Sequence, residues 1–270
     1  MNGRELCEAL HSGRRVYGTC ILSPSPKWPG AVAGLGVDFV FLDTEHTAQE
    51  REKLSWMCQG YRALGIAPIV RVPKPDPFWA TMALDGGAAG VIFPYVESPE
   101  QVRALVGATK LRPLKGERLA GALDGTAALE PELADYLANR NAGTVAIVNI
   151  ESTPAIAALD DILAVPGLDA VLIGPHDLSC SLGIPEQYSH PRFDEAVRTI
   201  VRKARAAGVG AGIHYWVSID QEADWARDGL NLIIHSTDVV LLAQAFRADL
   251  ARLKSELGDE ETEAQGDAVI

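Results

Sequence analysis

VAIVNIESTPAIAALDDILAVPGLDAVLIGPHD, residues 145–177, reads as strand, helix, strand. Val145–Ile150 and Ala170–Ile173 are short and almost wholly apolar, and Pro154–Leu163 between them has a helical pattern. Strands apolar on both faces belong to parallel sheets that helices cover on both sides. The same alternation runs outward in both directions. Further strands are expected at Val16–Cys20, Phe39–Leu42, Pro68–Val72, Gly90–Phe93, Gly210–Ile213 and Leu232–Ile234. Further helices are expected at Gln49–Leu64, Pro99–Ala108, Phe193–Ala207, Asp220–Ala226 and Val239–Leu257. Eight such strands in a chain of 270 residues is the count of an α/β protein of the (β/α)8 TIM barrel class, in a single domain. The rival is a doubly wound open sheet. It asks for a GxGxxG turn after the first strand, where this chain has Leu22-Ser23-Pro24-Ser25-Pro26.

Residues 1–257 are expected to form the barrel with its C-terminal helix, and the acidic stretch GDEETEAQGDAVI, residues 258–270, a disordered tail. Lys110–Glu130 breaks the period. It holds Pro113, Gly116, Gly121 and Gly125, and reads as a long loop over one face.

Composition excludes several classes. The net charge of -12 opposes a nucleic-acid role, and the basic group Arg198, Arg202, Lys203 and Arg205 reads as the solvated face of a helix. No window approaches the roughly 18 apolar residues of a membrane span. The N-terminus, with Arg4, Glu5 and Glu8, has no apolar signal segment. Cys7, Cys20, Cys58 and Cys180 form no CxxC pair and read as reduced thiols of a cytoplasmic protein. Trp28, Trp56, Trp79, Trp216 and Trp225 read as packing residues, Asp220 and Asp238 as helix caps, and His11 and His190 as loop residues.

Active sites of such barrels lie where strands end. The second strand ends in Asp43-Thr44-Glu45-His46. Either Asp43 or Thr44 caps the next helix, or His46 beside carboxylates is a general base. Arg71, within the third strand, is costly to bury alone. It either pairs with Asp43, Glu45 or Asp85, or offers a fork to a substrate carboxylate or enolate oxygen. Glu151 and Asp177 follow the fifth and sixth strands, under about 5 Å apart as neighbours. Together they suit a hard divalent cation such as Mg or Mn, with water and substrate supplying further oxygens. The bland alternative makes Asp177 a cap and pairs Glu151 with Arg71. His214 and His235, at the last two strand ends, either line the site or, as the commoner case, are satisfied wall residues.

These pieces resemble the HpcH/HpaI family of class II pyruvate aldolases. The resemblance rests on Leu42-Asp43-Thr44-Glu45-His46, Val70-Arg71-Val72-Pro73, Ile92-Phe93-Pro94-Tyr95-Val96-Glu97-Ser98, Asn149-Ile150-Glu151-Ser152 and Ile173-Gly174-Pro175-His176-Asp177-Leu178-Ser179, with Leu182-Gly183. It covers roughly residues 15 to 245. It implies a divalent metal (Mg, Mn or Co) on Glu151 and Asp177, His46 as acid and base oriented by Asp43, and Arg71 on the keto-acid end. The backbone of Gly174, Pro175 and His176 would receive the pyruvate carboxylate. Asp85 matches a family carboxylate placed near a neighbouring subunit's site, in a homohexamer of dimers that exchange a C-terminal helix. Three positions depart from the pattern: His176 where the family has Ser, Asn or Ala, Asn149 where it has Gln, and Gly116-Glu117-Arg118-Leu119-Ala120-Gly121 for Gly-x-Arg-Gly.

The implied reaction is reversible cleavage of a 4-hydroxy-2-oxo acid to pyruvate and an aldehyde. None of the expected strands holds the lysine that a Schiff-base aldolase needs. The same centre would serve an oxaloacetate decarboxylase or an acyl-coenzyme A condensing enzyme, for which Arg112, Lys115 and Arg118 could meet phosphates. A keto-acid-binding barrel without turnover is the reading from another class. A phosphate-binding isomerase barrel asks for glycine-rich turns after the last strands, which read His214-Tyr215-Trp216 and His235-Ser236-Thr237.

Overall fold

A computed structural model describes residues 1–259. Most of the expected tail lies outside the described residues. Eight parallel strands close into a barrel in chain order: β1 (Val16–Ile21), β2 (Phe39–Asp43), β3 (Ala67–Arg71), β4 (Gly90–Phe93), β5 (Val145–Ile150), β6 (Ala170–Ile173), β7 (Gly210–Tyr215) and β8 (Leu232–Thr237). β4, β5 and β6 have the expected bounds. β7 and β8 run on past theirs, so His214 and His235 are strand residues, not turn residues.

Side chains alternate across each strand. Inward, Phe39, Phe41, Ile69, Ile92, Ile147 and Leu172 fill the barrel, and Leu6 and Leu10 of helix Gly3–Ser12 close its N-terminal end. Outward, Val40, Leu42, Val70, Val148, Ile173 and Ile213 meet the surrounding helices. The polar seal at the closed end is Asp169. Its carboxylate accepts from His11 Nε2 at 3.0 Å, Lys110 Nζ at 2.5 Å and the Ala146 amide at 2.7 Å.

Several expectations change. Lys110–Glu130 holds a helix, Gly116–Asp124, followed by Pro131–Asn141. Its glycines read as breakers, yet Gly121 is buried against Ala127, and Gly125 ends the helix at φ 75°. The Pro154–Leu163 helix is two short ones, Thr153–Ala157 and Leu159–Leu163, divided at Ala158. His11 lies in a helix, and His190 caps helix Pro191–Ala206 by accepting from the Arg192 amide. Thr237 and Ser218, not Asp238 and Asp220, cap the last two helices. Trp225 is buried and donates to Asp194, but Trp56 is 72% exposed. The basic group on Pro191–Ala206 is matched within the chain: Arg198 by Asp194 and Asp228, Arg202 by Glu195, and Lys203 by Asp160, while Arg205 donates to backbone carbonyls. Helix Asp238–Leu257 leaves Leu242, Phe246 and Leu253 exposed. No helix among the described residues is long and apolar enough to cross a membrane.

Candidate active site

The polar strand ends converge at the C-terminal mouth of the barrel. Asp43 and Arg71 close β2 and β3 and stand opposite each other in register. Arg71 donates from Nε to Asp43 Oδ1 and from Nη2 to Asp43 Oδ2, both at 2.8 Å, and its Nε lies 3.1 Å from Glu45 Oε2. The guanidinium also lies over the Phe41 ring, 5.3 Å from its centroid. Asp43 therefore serves Arg71 and the Glu45 amide rather than a helix N-terminus. The N-cap position of helix Arg51–Ala63 is Glu50.

Glu151 is buried just past β5. Its Oε1 accepts from the Tyr95 amide at 2.7 Å and its Oε2 from Asn149 Nδ2 at 2.8 Å, so its partners are these and not Arg71. Tyr95 reaches it from a left-handed backbone, φ 52°, which a non-glycine side chain resists. Gly174 is needed for close approach. A Cβ there would stand 2.4 Å from Glu151 Oε2. Asp177, half-buried, lies in the first turn of helix Pro175–Ser181 on the neighbouring strand end.

Charge is unevenly distributed here. Burial pushes the Asp43 carboxyl up, but the Arg71 hydrogen bonds and charge outweigh it and hold it below its ordinary value. Burial raises Glu45 to about 7; Arg71 opposes this, while Glu151, Asp43 and Asp177 add to it. Burial also raises Glu151, against the Tyr95 amide and Asn149, and Asp177 raises it further. Carboxylates thus outnumber the single guanidinium, and each makes the next harder to ionise.

A divalent cation held here would relieve that conflict. Glu151 and Asp177 would supply oxygen ligands of the hard type, and the buried Asn149 Oδ1 near Glu151 has no partner among the described residues. No group of three or more His, Cys, Asp or Glu side chains gathers to hold a metal among the described residues. Two carboxylates with water and substrate oxygens is the usual provision for Mg. The donor set fits such an ion.

Other expected residues sit less centrally. His46 is exposed, and its Nε2 lies 3.7 Å from Glu45 Oε2; no hydrogen bond joins it to Asp43 among the described residues. His176 is exposed too, with Nδ1 3.6 Å from Glu186 and Nε2 4.0 Å from Cys180 Sγ. Asp85 lies outside the cluster. It ends helix Pro77–Asp85 and pairs with Arg112. Glu45, the Tyr95 amide and His214 also join the mouth. Glu45 carried a signal as an acid flanked by Asp43 and His46, and His214 as a histidine at a strand end, while the Tyr95 amide carried none. His214 packs on Phe41 and Trp216 and meets the Ser236 carbonyl.

Fold and site define a closed (β/α)8 barrel whose C-terminal mouth gathers Asp43, Glu45, Arg71, Glu151 and Asp177. The chain belongs to the HpcH/HpaI aldolase/citrate lyase family, whose model matches residues 18–245. It is 33% identical over 248 residues, 92% of each chain, to 2-keto-3-deoxy-L-rhamnonate aldolase of Escherichia coli K12. It is 33% identical over 250 residues to hydroxypyruvate/pyruvate aldolase of Roseovarius nubinhibens, covering 92% of this chain and 96% of that one. The crystal structure of an HpcH/HpaI aldolase from Desulfitobacterium hafniense DCB-2 superposes with a TM-score of 0.80 at 30% identity, over 92% of this chain and 96% of that one.

Proposed function

We propose that the protein is a metal-dependent aldolase that cleaves a 4-hydroxy-2-oxo acid to pyruvate and an aldehyde, reversibly. The observation that carries this reading is the pairing of Glu151 and Asp177 on adjacent strand ends beside the Asp43-braced Arg71. A divalent cation, Mg, Mn or Co, would be held by Glu151 and Asp177 and would supply Lewis acidity toward the keto-acid oxygens. Arg71, locked in orientation by Asp43 and Glu45, binds the keto-acid end. It stabilises the negative charge that develops when the bond between the third and fourth carbons breaks. His46 takes the proton of the 4-hydroxyl and returns it in the reverse direction. Glu45, beside His46 and with a pKa of about 7, shares that proton. The backbone of Gly174, Pro175 and His176 receives the pyruvate carboxylate.

The aldehyde half needs residues beyond one subunit. The exposed apolar side chains of helix Asp238–Leu257 support a homohexamer whose dimers exchange this helix, with Asp85 turned toward a neighbouring site. Free Cys7, Cys20, Cys58 and Cys180 support a cytoplasmic setting. The test is pyruvate release from 4-hydroxy-2-oxo acids with and without metal.

A further inference from the structure

The mouth of β7 carries a group that the reaction outlined above does not use. Ile150 pairs with Ile173, and Ile173 with Ile213, and all of them face the outer helices. Their successors Glu151, Gly174 and His214 therefore share one inward layer across β5, β6 and β7. Gly174 has no side chain, and the Glu151 carboxylate leans into the space above it. Glu151 and His214 stand on either side of Gly174, two strand spacings or about 10 Å apart at the backbone.

The His214 ring is fixed in place. It meets Phe41 edge-on and Trp216 at a tilt, with centroids 5.4 Å away in each case. Phe41 in turn lies beneath Arg71. Nε2 lies 3.2 Å from the Ser236 carbonyl oxygen. That oxygen can only accept, so Nε2 carries the proton and Nδ1 keeps a bare lone pair. Nδ1 makes no hydrogen bond among the described residues and is not among the unpaired atoms shut away from solvent. Burial, then the charge of Arg71, bring the pKa down to about 4, so the ring is neutral near pH 7.

Backbone strain maintains this tautomer. β8 carries an extra residue against β1, for Gly18 pairs with Ile234 and Cys20 with Thr237. At this bulge Ser236 adopts φ 57°, and its carbonyl accepts from both Thr19 Oγ1 at 3.3 Å and His214 Nε2. The Ser236 hydroxyl is buried without a partner among the described residues. Strain and an unmet hydroxyl are both tolerated to place one carbonyl oxygen.

We propose that His214 is a specificity-determining residue whose Nδ1 accepts a hydrogen bond from a substrate hydroxyl, so that hydroxylated substrates are preferred over their deoxy counterparts. The inference rests on the aldolase reading of the site. The hydroxyl can belong to the keto acid or to the aldehyde, and its recognition is the same in either case. An acceptor that a bound ligand covers discriminates because a ligand lacking the donor leaves it unpaired.

The test is aldol addition by wild type, His214→Leu and His214→Asn in the presence of Mg. Pyruvate and hydroxypyruvate are compared as nucleophiles toward one aldehyde. Glyceraldehyde and propanal are compared as acceptors of pyruvate. Wild type should favour the hydroxylated member of one pair. His214→Leu should lower that kcat/KM ratio about tenfold or more, and His214→Asn, whose amide oxygen accepts, should keep most of it. The responding pair locates the hydroxyl. An unchanged ratio in both pairs for His214→Leu, or an equal loss on every substrate, overturns the proposal. Exchange of the pyruvate methyl protons in D2O, followed by NMR on wild type, separates the two readings. No metal-dependent exchange sinks the aldolase reading and this proposal with it. Normal exchange with an indifferent His214→Leu sinks this proposal alone.

Discussion

Arg71 and Asp43 meet through two parallel hydrogen bonds of 2.8 Å, and the Asp43 carboxylate also accepts from the Glu45 amide at 3.0 Å. The pair is nearly closed to solvent, with side chains 12% and 5% exposed. Removing one member of a buried pair strands the other charge. Asp43→Ala should therefore cost about 3 kcal/mol of stability in urea unfolding, softened by the remaining Glu45 contact. Arg71→Lys keeps the charge but loses the fork, and kcat/KM for cleavage should fall about a hundredfold with little change in fold. Full activity of Arg71→Lys would show that the planar fork is not needed.

Gly174 stands where any side chain would strike Glu151 Oε2. Its φ of -88° is open to every residue, so Gly174→Ala should fold normally. The displaced carboxylate should weaken Mn binding about tenfold or more, read by calorimetry alongside an unchanged circular dichroism spectrum. Wild-type affinity would show that Glu151 yields without cost.

Glu45 and Glu151 both have raised pKa values in the folded chain, Glu45 to about 7. Their protonated forms stabilise the fold. That contribution is complete below the ordinary carboxylate range and is lost as pH climbs from there through about 7. The Tm of EDTA-treated protein should fall between about pH 5 and pH 8. Glu45→Gln should flatten the slope, and saturating Mg should offset it by favouring the ionised forms. A Tm that rises across this range in the metal-free protein would contradict the assigned direction.

At the opposite end of the barrel, Asp169 gathers His11, Lys110 and the Ala146 amide. Asp169→Ala should cost about 3 kcal/mol, because Lys110 loses its counter-charge at a largely closed site. The kcat of the surviving folded protein should stay close to wild type. A stability loss under about 1 kcal/mol would mark the network as surface-like.

The barrel was legible because its strands are apolar on both faces: Val145–Ile150 and Ala170–Ile173 need nothing beyond their own composition to be read as buried parallel strands. The polar ends were legible for the same reason, since Asp43, Arg71, Glu151 and Asp177 interrupt or follow apolar runs. The partnerships were not. Whether Arg71 pairs with Asp43, Glu45 or Asp85 depends on strand register, and the register brings Asp43 level with it. Helix Gly116–Asp124 was hidden because glycine signals a turn locally, while close packing at Gly121 can ask for the same residue. The roles of Tyr95 and Ser236 lie in backbone conformation, φ 52° and 57°, which their side chains do not announce.

The most direct measurement is pyruvate release, coupled to lactate dehydrogenase, from racemic 4-hydroxy-2-oxo acids with oxaloacetate included. Each assay is run with EDTA, with Mg and with Mn, on wild type and on Glu151→Gln. Metal-dependent release from a 4-hydroxy-2-oxo acid, abolished by EDTA and lost in Glu151→Gln, is the expected result. Release that persists in EDTA, or none from any substrate with saturating metal, would contradict a metal-assisted aldolase built on Glu151, Asp177 and Arg71.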